Sequence, residues 1–380
     1  MRENGMIEDD ALFIDGTKLE DDANLYSFTW KRAIDKYEAA LNGKISQLYN
    51  QLIKDGVNLA LSKKERETSQ GLEELLEKTE ATLAEIEQVI EEEPRVIKGG
   101  SANRQKHRRI KKIRKQLKDD FLPHKKRYEE SRKILEDHNS FTKTDHDATF
   151  MRMKEDHMQN EQLKPGYNVQ AATNGPYVLD FDIFPNPTDT HTLKPFLQSI
   201  QTLDLFNYIV ADACYGSEEN YRFIIDKLEK TPLIPYTMYH KELTKKYQTS
   251  TDNPMNWEYL EDTDQFIKPD GLVYSFKNYP SRTDKYDFQR DFKIYEADKI
   301  QDTPELEHLA RTDSGNQKQI HYNPTWNYFK ELLKQTLHSE EGSRIYAKQK
   351  IDVEPIFGRL KSVFGVGRVH VRDKQAVQQK

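Results

Sequence analysis

The 380-residue chain has one cysteine, Cys214, which excludes an internal disulfide and any cysteine-rich zinc module and fits a reducing compartment. No window approaches roughly 18 consecutive apolar residues, so a membrane-spanning helix is excluded. The opening Met1-Arg-Glu-Asn-Gly5 runs into acidic residues and lacks the apolar centre of a signal peptide. There is no GxxxxGK[ST] loop, which argues against nucleotide use, and no Gly-x-Ser-x-Gly elbow. The histidines are scattered without metal-ligand spacing. Apolar residues are scarce at 36%, and mean hydropathy is −0.92. Yet 20 Tyr, 17 Phe and 3 Trp are too many aromatics for a disordered chain. A folded core with long solvated helices satisfies both observations.

The net charge of −6 conceals an asymmetry. Segment 61–93 holds 11 acidic against 4 basic residues, whereas 95–133 holds 16 Lys and Arg against 4 acids. The stretch 344–374 is also basic, 8 against 3. Basic blocks in an acidic chain mark a surface for a polyanion, and Lys106, Arg108, Arg109, Lys111 and Lys112 are its candidate phosphate contacts.

Ala11-Leu-Phe-Ile-Asp15 reads as a strand ending at or just past Asp15, and Tyr26–Trp30 alternates as a second. Helical spacing then takes over. Leu72, Leu76, Thr79, Leu83, Ile86 and Ile90 follow the a/d rhythm of a coiled-coil seam, and a basic helix after Gly100 should halt near Pro123. Residues 31–138 are therefore expected to be antiparallel helices forming a coiled-coil hairpin. Tyr167–Ala172 and Tyr177–Phe184 flank an Asn174-Gly175 turn, the signature of a hairpin. Thr190 is the expected cap of a helix burying Leu193, Phe196, Leu197 and Ile200. Tyr208–Ala211 is a buried strand, Ser217 caps the next helix, and Pro232–Pro235 begins another strand. Residues 238–325, with scattered aromatics among turn residues, read as a β or loop insertion. Helices return from Trp326, and Pro355 requires a kink or a new helical start at Glu354–Pro355. With both insertions removed, a small mixed α/β sheet with flanking helices remains. The expected segments are 1–30, 31–138, 139–237, 238–325 and 326–380.

Three acids occupy informative places: Asp15 on the first strand, Asp212 just beyond a buried strand, and Glu354 on the last helix. Carboxylates from separate elements can hold two divalent cations roughly 3.5–4 Å apart, the clamp that phosphodiester transfer needs. Lys18, Lys350 and Lys361 are nearby cations for a phosphate. Cys214 has no histidine close in sequence and reads as a small buried thiol.

Phe13-Ile-Asp-Gly-Thr-Lys-Leu-Glu20 closely resembles the first-aspartate motif of bacterial insertion-sequence transposases with a DDE site, in the IS1182-like branch of the IS4/IS5-like group. Thr144–Glu155 and Leu163–Gln170 resemble that branch's central block, Ala211-Asp-Ala-Cys-Tyr-Gly-Ser217 its second-aspartate motif, and Ile351-Asp-Val-Glu-Pro-Ile-Phe-Gly-Arg-Leu-Lys361 its glutamate motif. The resemblance implies an RNase H-like fold, with Asp15, Asp212 and Glu354 as the catalytic, metal-holding triad for Mg²⁺ or Mn²⁺. It also places Tyr346, Lys350 and Lys361 in or near the Tyr-Arg-Glu-Lys signature that contacts phosphates. It implies metal-dependent hydrolysis and strand transfer on double-stranded DNA, a homodimer joining two element ends, and a cytoplasmic, nucleoid-associated setting. Cys214 stands where glycine is usual, and Lys350 where arginine is usual. The family's N-terminal region has no counterpart before Asp15, so a shortened or split copy is expected, with an inactive DNA-binding or assembly protein as the alternative reading.

Overall fold

The computed structural model describes residues 10–24, 27–94, 100–136, 138–153, 163–299 and 304–379. The chain divides into two units, residues 1–19 with 168–367 and residues 20–167 with 368–380. In chain order the strands are β1 (Ala11–Glu20), β2 (Phe28–Trp30), β3 (Ser140–Thr142), β4 (Thr149–Arg152), β5 (Leu163–Asn174), β6 (Tyr177–Phe184), β7 (Tyr208–Val210) and β8 (Thr231–Leu233). They continue as β9 (Glu258–Leu260), β10 (Gln265–Ile267), β11 (Val273–Asn278), β12 (Ser281–Thr283), β13 (Gln289–Asp291), β14 (Lys293–Ala297) and β15 (Gln319–Tyr322).

The first unit is built on a mixed sheet running β6-β5-β1-β7-β8. β1, β7 and β8 are parallel, with Phe13 opposite Val210 and Val210 opposite Leu233. Their side chains form near-continuous apolar runs, as strands covered on both faces require, and Ala11 to Ile14 are fully buried. β5 and β6 form the expected antiparallel hairpin, whose Gly175 takes φ 57°, a left-handed value that favours glycine. Helix Leu193–Ser199 buries Leu193, Phe196 and Leu197, and helix Pro324–His338 buries Phe329, Leu333 and Leu337. All six join Phe13, Ile209 and Val210 in one core. The last helical stretch breaks at Val353 between Glu340–Asp352 and Glu354–Ser362. Pro355 thus lies in the first turn of the new helix, where its missing N–H costs no hydrogen bond.

Three expectations for this unit need correction. β1 continues past Asp15 to Glu20 instead of ending there. Thr190 does not cap helix Leu193–Ser199: it lies in the single turn Asp189–His191, and its hydroxyl donates to the Cys214 carbonyl at 2.7 Å. Cys214 is exposed, because it sits in a loop beyond the strand end and not in the core. The 238–325 region contains an antiparallel sheet, β15-β14-β11-β10-β9, whose buried face carries Phe266, Tyr274 and Tyr295. Its strands are only three to six residues long, too short for alternation to stand out in sequence.

In the second unit, helices Lys31–Lys54, Ser69–Glu92, Ala102–Gln116 and Leu122–Leu135 dominate. Helix 69–92 turns Leu72, Leu75, Leu83 and Ile86 into a core shared with Ile45, Leu48 and Leu52 of helix 31–54 and Ile110 and Ile113 of helix 102–116. The buried face therefore includes Leu75 as well as expected seam positions, while Leu76 and Ile90 are only partly covered. The basic helix does not halt near Pro123. A π-turn at Leu117–Phe121 carries it into helix 122–135, and Pro123 sits where that wider turn spares its donor. Tyr26 and Glu155, part of the expected second strand and central block, lie outside the described residues.

Candidate active site

Asp15 and Asp212 are brought to one level by strand register. Phe13 and Val210 are paired on β1 and β7, and each acid follows two residues later. A step of two returns a side chain to the same face of a strand, and adjacent strands lie about 4.8 Å apart. Each carboxylate is also oriented by its own backbone. The Gly16 N–H donates to Asp15 Oδ1 at 2.7 Å, and the Cys214 N–H donates to Asp212 Oδ1 at 2.8 Å. The latter bond caps the single 3₁₀ turn Ala213–Tyr215. Cys214 is not among the left-handed residues of the chain, so its replacement of the usual glycine carries no backbone strain.

The phenol of Tyr215 reports the charge around these acids. It is fully buried, and burial, followed by the charges of Asp189, Asp15 and Asp212, holds its hydroxyl well above the ordinary tyrosine range. Tyr346, on helix Glu340–Asp352, is likewise pushed up by burial and then by the charge of Asp212. Asp15, Asp212, Asp189, Tyr215 and Tyr346 thus share one electrostatic neighbourhood. Glu354 opens helix Glu354–Ser362, but its side chain lies outside the described residues. Aspartate oxygens are the hard donors that a divalent cation takes, so the donor chemistry fits such an ion. Among the described residues, no group of three or more His, Cys, Asp or Glu is arranged to hold a metal ion.

Residues 138–380 match the model of the transposase DDE domain, which covers more than half of the sequence. The chain belongs to the transposase DDE domain family. The matched span includes Asp212 and Glu354, and Asp15 lies before it. No curated protein and no solved structure matches the chain.

In this DDE-domain transposase the expected cations differ in setting. Lys18 is half-buried on β1, three residues beyond Asp15. Lys350 is exposed in the last turn of helix 340–352, and Lys361 is half-buried in that of helix 354–362. Within the second unit the basic helix 102–116 divides its charges. Arg109 is committed to Asp55, with Nη2 2.7 Å from Oδ1, while Arg104, His107 and Arg114 face Glu93, Glu87 and Glu80. Lys106 is half-buried. Arg108, Lys111, Lys112, Lys115 and Lys118 are exposed at three- and four-residue steps, one helix stripe, and carry no ion pair among the described residues. No helix among the described residues is long and apolar enough to cross a membrane.

Sequence reading missed Asp189, and quoted Asn168 and Gln170 within the Leu163–Gln170 block without giving them a role. Asn168 and Gln170 are both fully buried on β5. Their signal was polar side chains inside a strand with no exposed face from Tyr167 to Asn174.

Proposed function

We propose that this transposase, of the IS1182-like branch, hydrolyses the phosphodiester at the ends of its insertion sequence and joins the freed 3′-hydroxyl to target DNA, on an RNase H-like fold. The observation that carries the reading is that Asp15 on β1 and Asp212 just beyond β7 each follow by two residues the paired Phe13 and Val210 of these neighbouring parallel strands. Counting β5 and β6 as strands two and three, the second acid follows strand four, as that fold requires. Asp15, Asp212 and Glu354 would hold Mg²⁺, with Mn²⁺ as a substitute. Such ions, when bound, sharpen the attacking oxygen and stabilise the leaving one. The Gly16 and Cys214 N–H groups each hold one oxygen of their aspartate. Lys18, Tyr346, Lys350 and Lys361 would steady the phosphate on either side of the cut.

The duplex partner is supported by the exposed basic stripe, where Arg108, Lys111 and Lys112 would follow the phosphate backbone. Arg109 and Lys106 are proposed to back that stripe instead of leading it, because Arg109 is already paired. A homodimer, with part of helix 69–92 offered as a coiled-coil seam, would join two element ends in the nucleoid of the bacterial cytoplasm. The segments 31–138 and 238–325 are proposed as insertions into the catalytic domain made by 1–30, 139–237 and 326–380.

The test is cleavage of a labelled duplex carrying the cognate element end, with Mg²⁺, Mn²⁺ or EDTA. Nicking should require metal and vanish in Asp212→Asn, while DNA affinity stays near wild type. Equal nicking by both proteins would sink the reading.

A further inference from the structure

Asp15 lies within β1 and Asp212 in the loop beyond β7, on distant stretches of chain. A chain of hydrogen bonds runs from the Asp212 loop through β5 to the Asp189 turn, and Gln170 and Asp189 pack against β1 at Gly16. Tyr215, three residues beyond Asp212, donates its hydroxyl to Gln170 Oε1. Gln170 Nε2 donates to Asp189 Oδ1 at 3.1 Å and to Asn168 Oδ1 at 2.9 Å. Asn168 Nδ2 donates to the same Asp189 oxygen at 2.8 Å and to the Asn186 carbonyl at 3.0 Å. The far end of this chain presses on residue 16. A Cβ added to Gly16 would collide with Gln170 Nε2 and lie 3.1 Å from Asp189 Oδ1. Gly16 is the residue whose N–H holds Asp15.

A second set of bonds ties the same segments together. Thr190, next to Asp189, donates to the Cys214 carbonyl, and Asn220 Nδ2 donates to the carbonyls of Thr190 and Tyr215, both at 2.8 Å. The turn carrying Asp189 and the loop carrying Asp212 are therefore tied to each other directly.

We infer that Tyr215, Gln170 and Asp189 form the positioning device that sets the separation of the Asp15 and Asp212 carboxylates, with Asp189 as its charged end. The inference rests on the transposase reading above, since the pair is what the device positions. These are positioning residues: they hold the backbone that bears the acids. Asp189 Oδ1 is occupied by two amides, which suits an anchor better than a ligand. Its charge also adds to the negative field at the pair and favours a cation there. Partners standing behind metal ligands typically change metal affinity 10–100-fold when removed.

Two variants and two readouts test this in the full-length protein. Tyr215→Phe removes only the hydroxyl, and Asp189→Asn keeps the shape while removing the charge. Without metal, Tyr215→Phe should speed amide hydrogen exchange in peptides spanning 11–20 as well as in those spanning 212–221. A rise confined to 212–221 would overturn the inference. In Mn²⁺ titrations followed by electron paramagnetic resonance, both variants should raise the half-saturation roughly 10–100-fold, with affinity for an element-end duplex unchanged. Unchanged Mn²⁺ affinity in both would also overturn it. If the wild-type protein binds no Mn²⁺, the metal reading fails, and the exchange result still decides whether the device exists.

Discussion

Asp21 gives the second unit a stability that depends on pH. Its side chain is fully buried, and neither carboxylate oxygen has a hydrogen-bond partner. Asp145, also buried, is satisfied: its Oδ1 accepts from the Asp147 N–H at 3.0 Å, and its Oδ2 accepts from Tyr167 at 2.6 Å and the Asp373 N–H at 3.0 Å. Burial, then the charge of Asp145, pushes Asp21 up to about 7. The neighbouring Asp22 is paired with Arg368 at 3.1 Å. The folded unit thus keeps a proton on Asp21 that the unfolded chain releases near pH 3.8. More protons bound in the folded state means that stability falls as pH rises through this window and levels off above about pH 7. Between pH 5 and pH 8 the loss is on the order of 3 kcal/mol, at about 1.4 kcal/mol for each pH unit inside the window. Asp21→Asn removes the titration and offers an amide donor to Asp145. For a unit of this size, the variant should melt on the order of 10 °C above wild type at pH 8 relative to the difference at pH 5. Thermal melts of both proteins at the two pH values provide the measurement. A melting difference that is the same at pH 5 and pH 8 would refute the argument.

Three further outcomes follow from the same structure. Gly16→Ala should abolish metal-dependent nicking at a stability cost of about 1–3 kcal/mol, because the new methyl meets Gln170 and Asp189; undiminished nicking would show that this contact does not control Asp15. Lys125→Met should cost about 2 kcal/mol in urea unfolding, since buried Lys125 lies 2.7 Å from Glu38, which keeps Arg132 at 2.6 Å as its remaining partner. Changing Arg108, Lys111 and Lys112 together to Gln should make the plot of log affinity against log salt shallower by about 2.7. Arg109→Gln should leave that slope unchanged, because its charge is already spent on Asp55.

The elements legible in sequence were those whose signal is local. Four consecutive apolar residues announced the buried part of β1, and Asn174-Gly175 announced the β5–β6 turn. Pro355 required the helix break that occurs at Val353. Two of the three expected acids could be placed because each ends an apolar strand segment in matching register. What stayed hidden depends on distant parts of the chain. The extension of β1 to Glu20 draws on partners brought in by the chain's return, as when the Val369 N–H donates to the Glu20 carbonyl at 2.8 Å. The sixteen positive charges of 95–133 looked uniform in one dimension. Only packing separates Lys125, buried against Glu38, from Lys111 and Lys112, which face solvent.

Asp189 shows the same limit at the site itself. In sequence it is one of 64 acids, set in a turn where an acid needs no explanation. Its meaning comes from Gln170, which reaches it from another strand and in turn accepts from Tyr215 in another loop. Both of those residues are fully buried, so their polar atoms had to find partners inside the protein. The requirement for a partner was therefore readable at Gln170, while the identity of the partner was not.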